Sequence, residues 1–217
     1  MKILATDMDG TFLDHLGAYD KARLDNLLDA CEAKDYVFTV ASGRALLALE
    51  ELFDGFVDRI AIIAENGALV QYKGEVLFES KLEPKDYLQI ADTTLSLPTC
   101  EGILLSGRRG AYAPNDADPA YLKAMERYYE NVMATDLEAV TDDIFKVTAK
   151  FQGDTIMERG DYLNTIFEDM TAVTTGFHSM DIILKGVDKG FGLYHLCQEL
   201  SLIHSSEPTR LALISYA

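Results

Sequence analysis

Short apolar runs alternate with helical stripes in the first third of the chain. The runs "KILAT" (2–6), "YVFTVAS" (36–42) and "IAIIA" (60–64) are rich in the residues that favour buried strands. A helical stripe follows the first run and consists of Leu24, Leu27, Leu28 and Cys31. The segment "ALLALEELF" (45–53) predicts a second, shorter helix. Strands that alternate with helices predict right-handed crossovers and a parallel sheet covered by helices.

The middle of the chain has a different pattern, typical of an α+β domain. We predict hairpins around Lys73-Gly74 and Gly107–Gly110, helices near 84–95, 118–133 and 158–170, and strands near 145–151, 171–176 and 180–184. Another helix is predicted from Lys189, with Leu193, Leu196, Cys197 and Leu200 on one face. These patterns predict one domain formed by 1–80 and 185–217, with a second domain at 81–184 inserted into it.

Composition narrows the classes of partner. The chain has 217 residues, with 19 Lys and Arg against 36 Asp and Glu, which gives a net charge of −17. Such an acidic protein is a poor ligand for nucleic-acid backbones and anionic membranes. No segment reaches ~18 consecutive apolar residues, and the three cysteines form no metal-binding or disulfide pattern. We therefore expect a cytoplasmic protein that binds neither nucleic acid nor membranes.

Two carboxylates stand at the end of the first predicted strand. Asp7 and Asp9 are followed by Gly10 and Thr11, and both side chains would face one side if the strand continued through them. At ~5 Å and an effective dielectric near 20 they would repel by about 3 kcal/mol. A shared proton, a lysine or a cation such as Mg²⁺ can offset that repulsion. A solvated turn rich in Asp and Gly is the alternative interpretation.

Polar loops also follow the next two strands, at 42–44 and 65–67. Ligands of open α/β sheets bind outside the carboxyl ends of the strands. If the three strands are neighbours, their loops form one site. Each loop also has a simpler interpretation, because Ser42 suits a helix N-cap and Asn66-Gly67 is a common turn pair.

Four segments together resemble the haloacid dehalogenase-like phosphohydrolases. "DMDGT" (7–11) resembles the first motif of that family, "FTVASGR" (38–44) the second and "GVDKGFGL" (186–193) the third. "AENGA" (64–68) resembles the Asn-Gly loop of the Cof-type branch, subfamily IIB. The resemblance implies an α/β fold, with a Rossmann-like parallel-sheet core and an inserted α+β cap of the C2 type.

The resemblance also implies roles for individual residues. Asp7 corresponds to the nucleophile that forms an aspartyl-phosphate, and Asp9 to the general acid and base. Lys189 corresponds to the lysine that neutralises Asp7 and the phosphate, although a solvated surface lysine is the alternative. The resemblance implies Mg²⁺ as the cofactor, held by the Asp7 carboxylate and the Asp9 backbone carbonyl. The implied substrate-binding residues are Gly10, Thr11, Ser42, Gly43, Arg44 and Asn66.

One expected segment is missing. The family carries a fourth motif, Gly-Asp-x-x-Asn-Asp, after the lysine, and its aspartates complete the Mg²⁺ shell. The 28 residues after Lys189 contain no aspartate, and "SLIHSSEPTRLALISYA" (201–217) does not resemble that motif. We therefore expect a truncated chain whose tail is foreign sequence, with little or no phosphatase activity and poor stability.

The predicted function is hydrolysis of small phosphomonoesters. The predicted substrates are sugar phosphates or phosphorylated cofactors, and the predicted partner is thus a small phosphorylated metabolite. We expect a monomer or a weak homodimer. Two alternatives remain open, namely a phosphomutase that returns the phosphoryl group to another hydroxyl, and a non-catalytic protein that binds phosphosugars.

Overall fold

A computed structural model gives the fold of residues 1–153, 156–176 and 178–200. The helices of these residues are α1 (Lys21–Ala33), α2 (Leu46–Leu52), α3 (Pro84–Leu95), α4 (Pro119–Met125), α5 (Ile156–Ile166) and α6 (Lys189–Glu199). The strands are β1 (Lys2–Asp7), β2 (Tyr36–Ala41), β3 (Ala61–Ala64), β4 (Leu69–Tyr72), β5 (Glu75–Glu79), β6 (Cys100–Gly107), β7 (Ala111–Pro114), β8 (Val132–Thr135), β9 (Ile144–Phe151), β10 (Met170–Thr174) and β11 (Ser179–Leu184). The predicted alternation of strands and helices through β3 is confirmed.

The chain divides into two compact units. Among the described residues, unit 1 contains 1–42, 52–79 and 188–200, and unit 2 contains 43–51 and those of 80–187. This division departs from the bounds expected from the sequence mainly at 43–51. The interpretation of the two units as a core and a cap stays a prediction at this point.

Unit 1 is built on one sheet with the strand order β1-β2-β3-β4-β5 among the described residues. The first three strands are parallel, and β4 and β5 add an antiparallel hairpin. This hairpin turns at Lys73-Gly74, as predicted, and both residues have a positive φ. The sequence therefore predicts the parallel part of the sheet and its antiparallel extension.

Buried side chains on the helices and strands hold unit 1 together. Leu24, Leu28 and Cys31 of the predicted stripe on α1 are all buried, and Leu27 is partly exposed. On α6, Leu193 and Leu196 belong to one buried cluster with side chains of the sheet, namely Val37, Ala41, Ala61, Ile63 and Val70. Burial of each such side chain contributes roughly 1.5–3 kcal/mol. Lys189 is the first residue of α6, so the packing of this helix on the sheet also fixes the position of the Lys189 backbone.

Unit 2 contains a mixed sheet with the strand order β10-β11-β9-β6-β7-β8 among the described residues. Every neighbouring pair is antiparallel except β7 and β8. Helices α3 and α5 supply Tyr87, Ile90, Ala91, Ile156 and Leu163 to a core shared with β6, β9 and β11. A sheet covered in this way is the α+β arrangement that the sequence predicts.

One predicted element is wrong in its second half. The helix expected over 118–133 ends at Met125, and Val132–Thr135 instead forms β8, which pairs in parallel with β7. Asn131 has a φ of +51°, which is left-handed backbone that does not continue a helix. The hydrogen bonds offered by the edge of β7 therefore override the local helical pattern.

Two further sequence-based expectations concern the whole chain. Within the described residues, no helix is both long and apolar enough to span a bilayer. Residues 201–217, on which the expectation of truncation rests, lie outside the described residues. That expectation therefore stays a prediction.

Candidate active site

The strand order of unit 1 brings three predicted loops together. Asp7 lies opposite Ala41 in the β1–β2 ladder, and Ala41 lies opposite Ile63 in the β2–β3 ladder. The backbone N–H of Ser42 donates to the Ile63 carbonyl at 2.9 Å, and the N–H of Asn66 donates to the Ser42 carbonyl at 3.2 Å. The loops that follow β1, β2 and β3 therefore meet at one edge of the sheet, as their positions in the sequence predict.

Asp7 and Lys189 meet in this site although they are 182 positions apart in the chain. Lys189 Nζ donates to Asp7 Oδ1 at 2.7 Å. The side chain of Asp7 is 26% exposed and that of Lys189 is 18% exposed, so both groups are partly shielded while a small molecule can still reach them. A positive charge beside Asp7 offsets the repulsion that any anionic ligand would meet there.

The start of α6 is held by its own cap. Asp188 is the N-cap, and its Oδ1 accepts the N–H of Phe191 at 2.7 Å. Such a cap stabilises a helix end by about 1 kcal/mol. Lys189 is the first residue of the helix, so the cap also fixes the point from which its side chain extends to Asp7.

The loop after β1 departs from the geometry expected for a strand. β1 ends at Asp7, whose Oδ1 accepts the N–H of Met8 at 2.7 Å. Asp9 and Gly10 have non-helical backbone angles inside the following turn, and Gly10 has a φ of +74°. The expectation that Asp7 and Asp9 share one strand face is therefore wrong, because Asp9 lies beyond the strand. Asp9, Gly10 and Thr11 are all exposed.

An aromatic cluster anchors the far end of this loop. The ring of Phe12 packs against Tyr19, Phe38 and Phe53, with ring centroids 5.4, 5.7 and 6.0 Å away. Tyr19 donates from its hydroxyl to the Leu52 carbonyl at 2.9 Å. Burial, with a smaller contribution from the charge of Asp54, raises the pKa of Tyr19, so its hydroxyl remains a donor at neutral pH. The motif pattern gave no indication of this anchor.

The remaining predicted binding residues lie around the second and third loops. Ser42 is buried, and Asn66 is partly exposed in a turn where it has a φ of +58°. Gly43 and Arg44 follow Ser42 directly in the chain and are grouped with unit 2. The structure thus places Asp7, Lys189, Ser42 and Asn66 at one end of the unit 1 sheet.

Oxygen ligands for a cation are present, but they are few. Among the described residues, no three Asp, Glu, His or Cys side chains form a cluster that could hold a metal ion. The Asp7 carboxylate and the Asp9 backbone carbonyl offer hard oxygen donors of the kind that Mg²⁺ prefers. Mg²⁺ is often held by one or two carboxylates, with water and substrate phosphate completing the shell, so the chemistry of these donors fits this ion.

Comparison with known proteins identifies the family. The sequence matches the profile of the haloacid dehalogenase-like hydrolases over residues 4–206. The chain belongs to this family. One relative is the 5-amino-6-(5-phospho-D-ribitylamino)uracil phosphatase YbjI of Escherichia coli (strain K12), which is 32% identical over 209 residues, 95% of this chain and 76% of YbjI.

Solved structures of other proteins have the same fold. SMU.1108c from Streptococcus mutans UA159 aligns with a TM-score of 0.83 and 26% identity, over 92% of this chain and 76% of its own. The subclass IIB sugar phosphatase BT4131 aligns with a TM-score of 0.72 and 17% identity, over 93% of this chain and 76% of its own. The predicted fold class is therefore confirmed. Together the comparisons support the assignment of this chain to the Cof-type phosphohydrolases of the family. They likewise support a phosphatase as its enzyme class.

Proposed function

We propose that this chain is a Mg²⁺-dependent phosphatase that hydrolyses small phosphomonoesters through an aspartyl-phosphate on Asp7. The contact between Lys189 and Asp7 carries this proposal, because it joins the first and third motifs at the carboxyl end of β1. In this proposal unit 1 is the catalytic core. Unit 2 is the inserted cap, which determines the choice of substrate.

Asp7 is the proposed nucleophile. Met8 and Lys189 both donate to Oδ1, each at 2.7 Å, so this oxygen is the held one of the two. We infer that Oδ2 attacks phosphorus, so that an O–P bond forms to Asp7 as the ester O–P bond breaks. Lys189 holds the carboxylate in place and offsets the negative charge of the phosphoryl group, which is what phosphoryl transfer mainly requires.

Asp9 is the proposed general acid and base. In the first step its proton passes to the leaving alkoxide, which departs as an alcohol. In the second step Asp9 takes a proton from water, the water oxygen attacks phosphorus, and the bond to Asp7 breaks to give inorganic phosphate. The exposed position of Asp9 in the turn after β1 allows it to reach the leaving group.

The other proposed groups bind the phosphate. Ser42 and Asn66 lie at the same edge of the sheet as Asp7 and are proposed to donate to phosphoryl oxygens. Gly10, Thr11, Gly43 and Arg44 stay predicted substrate contacts. The Asp7 carboxylate and the Asp9 backbone carbonyl would hold Mg²⁺, which would neutralise part of the phosphate charge when it is bound.

The proposed substrates are small phosphorylated metabolites. The candidate substrates are compared in one panel of phosphomonoesters. The panel contains sugar phosphates, flavin mononucleotide, pyridoxal phosphate and the compound in the name of YbjI, 5-amino-6-(5-phospho-D-ribitylamino)uracil. Assays use enzyme in excess over substrate, so that a slow single turnover is detected even if the 217-residue chain turns over poorly.

Removal of divalent ions by EDTA is expected to abolish phosphate release, and added Mg²⁺ is expected to restore it. Release that persists in EDTA would contradict the metal dependence.

Lys189→Met is expected to slow phosphate release by roughly 100- to 1,000-fold, a typical cost for losing one group that stabilises a transition state. Lys185→Met is the matched control, because Lys185 is an exposed lysine four residues earlier whose Nζ donates to the Glu168 carbonyl. Phosphate release by the two purified variants is compared at equal enzyme concentration. Equal rates for both variants would exclude the proposed role of Lys189.

A further inference from the structure

The third loop and the start of α6 approach each other unusually closely. Gly67 has a φ of +107°, and a Cβ built on it would lie 1.9 Å from the Asp188 carbonyl oxygen and 2.5 Å from its carbon. The same Cβ would lie 3.2 Å from the backbone nitrogen of Lys189. No side chain fits between these two backbones.

A second glycine faces the first from inside the helix. A Cβ built on Gly192 would lie 2.5 Å from Ile63 Cγ2, 3.0 Å from Gly67 Cα and 3.1 Å from the Gly67 oxygen. Gly192 is buried, and its N–H donates to the Asp188 carbonyl at 3.0 Å. The first turn of α6 therefore packs on the third loop through two glycines and without an intervening side chain.

We propose that Gly67 and Gly192 are positioning residues that set the distance between Lys189 and Asp7. This inference rests on the proposed function and adds two residues to it. Asp7 is held independently, by the β1–β2 ladder and by the Met8 amide. A side chain at either glycine has to move the start of α6, which carries Lys189, while Asp7 stays in place.

Four glycine-to-alanine variants separate this contact from backbone strain and from general effects on helices. Gly67→Ala introduces both a strained φ and a clash, and Gly192→Ala introduces the clash at a helical position. Gly74→Ala is the control for strain, because Gly74 has a φ of +81° but open space around its Cβ position. Gly160→Ala is the helical control, because its nearest neighbour, Met180 Cε, is at an ordinary 3.9 Å.

We expect Gly67→Ala and Gly192→Ala to lower kcat about 10- to 100-fold with little change in KM, because a displacement near 1 Å in a catalytic group has effects of this size. The two control variants are expected to keep the kcat and KM of the parent, because they leave the interaction between Lys189 and Asp7 intact. Adding Gly67→Ala to a Lys189→Met chain is expected to cost almost nothing further, since the glycine acts through the lysine. A full additional loss in that background, or equal losses in all four glycine variants, would overturn the inference.

A readout that does not depend on activity keeps the inference separate from the proposed function. Urea unfolding of Asp7→Ala, Lys189→Met and the double variant gives the coupling between the two side chains, because each substitution removes their contact. We expect this coupling to be present in the parent chain and lost in the Gly67→Ala and Gly192→Ala chains. Coupling that survives both substitutions would overturn the inference. A different outcome would reject the proposed function and leave the inference standing. In that case Lys189→Met would turn over normally, while the coupling between Asp7 and Lys189 would still be lost in the Gly67→Ala and Gly192→Ala chains.

Discussion

Asp7→Asn is expected to reduce phosphate release by at least about 1,000-fold, because an amide oxygen is a much weaker nucleophile than a carboxylate. The substitution preserves the size and shape of the side chain. Its carbonyl oxygen can still accept from the Met8 amide and from Lys189, as Asp7 Oδ1 does. The loss of phosphate release should therefore come from the weaker nucleophile at position 7, and the fold should stay intact. Single-turnover release of phosphate from the preferred member of the substrate panel measures it.

Asp161→Asn is the matched control for that experiment. Asp161 lies on an exposed position of α5 in unit 2 and is expected to leave the rate unchanged. Urea unfolding monitored by circular dichroism establishes that both variants remain folded. An Asp7→Asn chain that is folded and retains the parent rate would remove Asp7 from the mechanism.

Lys146→Met is expected to destabilise the protein by about 3–5 kcal/mol, which is the usual cost of leaving one partner of a buried ion pair without the other. Lys146 and Asp181 are 2% and 3% exposed, and Lys146 Nζ lies 3.0 Å from Asp181 Oδ2. Lys146 also donates to the Gly43 carbonyl at 2.5 Å. Asp181 accepts from the Thr148 hydroxyl at 2.8 Å. Loss of the lysine leaves a buried carboxylate with only partial compensation.

Lys150→Met provides the comparison within the same strand. Lys150 pairs with Glu101 at 2.7 Å, but the two side chains are 32% and 28% exposed, so its loss should cost less than about 1 kcal/mol. The double variant Lys146→Met with Asp181→Leu should regain part of the lost stability, because it removes both buried charges. Urea unfolding gives the three free energies. Similar losses in the free energy of unfolding for Lys146→Met and Lys150→Met would contradict a special role of burial in the pair of Lys146 and Asp181.

Local patterns in the sequence predict much of the fold. The stripe of Leu24, Leu28 and Cys31 gives α1, and the apolar runs before Asp7 and Ser42 give β1 and β2. Their order predicts a parallel sheet, and hence the meeting of the loops at its carboxyl end. The residue types in these loops, together with Lys189, give the family resemblance and the candidate site.

The features that the sequence does not predict depend on contacts between distant segments. β8 forms because β7 offers it a partner, although residues 118–133 have a helical pattern. Asp9 lies outside the strand because the ladder between β1 and β2 ends at the pair of Asp7 and Ala41. The importance of Gly67 is visible only when the Asp188 carbonyl is seen to occupy the place of its side chain, since Asn-Gly by itself predicts nothing more than a turn.

The formation of an aspartyl-phosphate is the central claim, and it can be measured directly. The purified chain is mixed with Mg²⁺ and a phosphomonoester from the panel, quenched in acid within the first turnover and digested for mass spectrometry. The proposed mechanism predicts that one phosphoryl group is found on Asp7, and that it is absent when EDTA is present or when Asp7 is replaced by Asn. Release of phosphate with no modified Asp7, under conditions that preserve acyl phosphates, would contradict the mechanism.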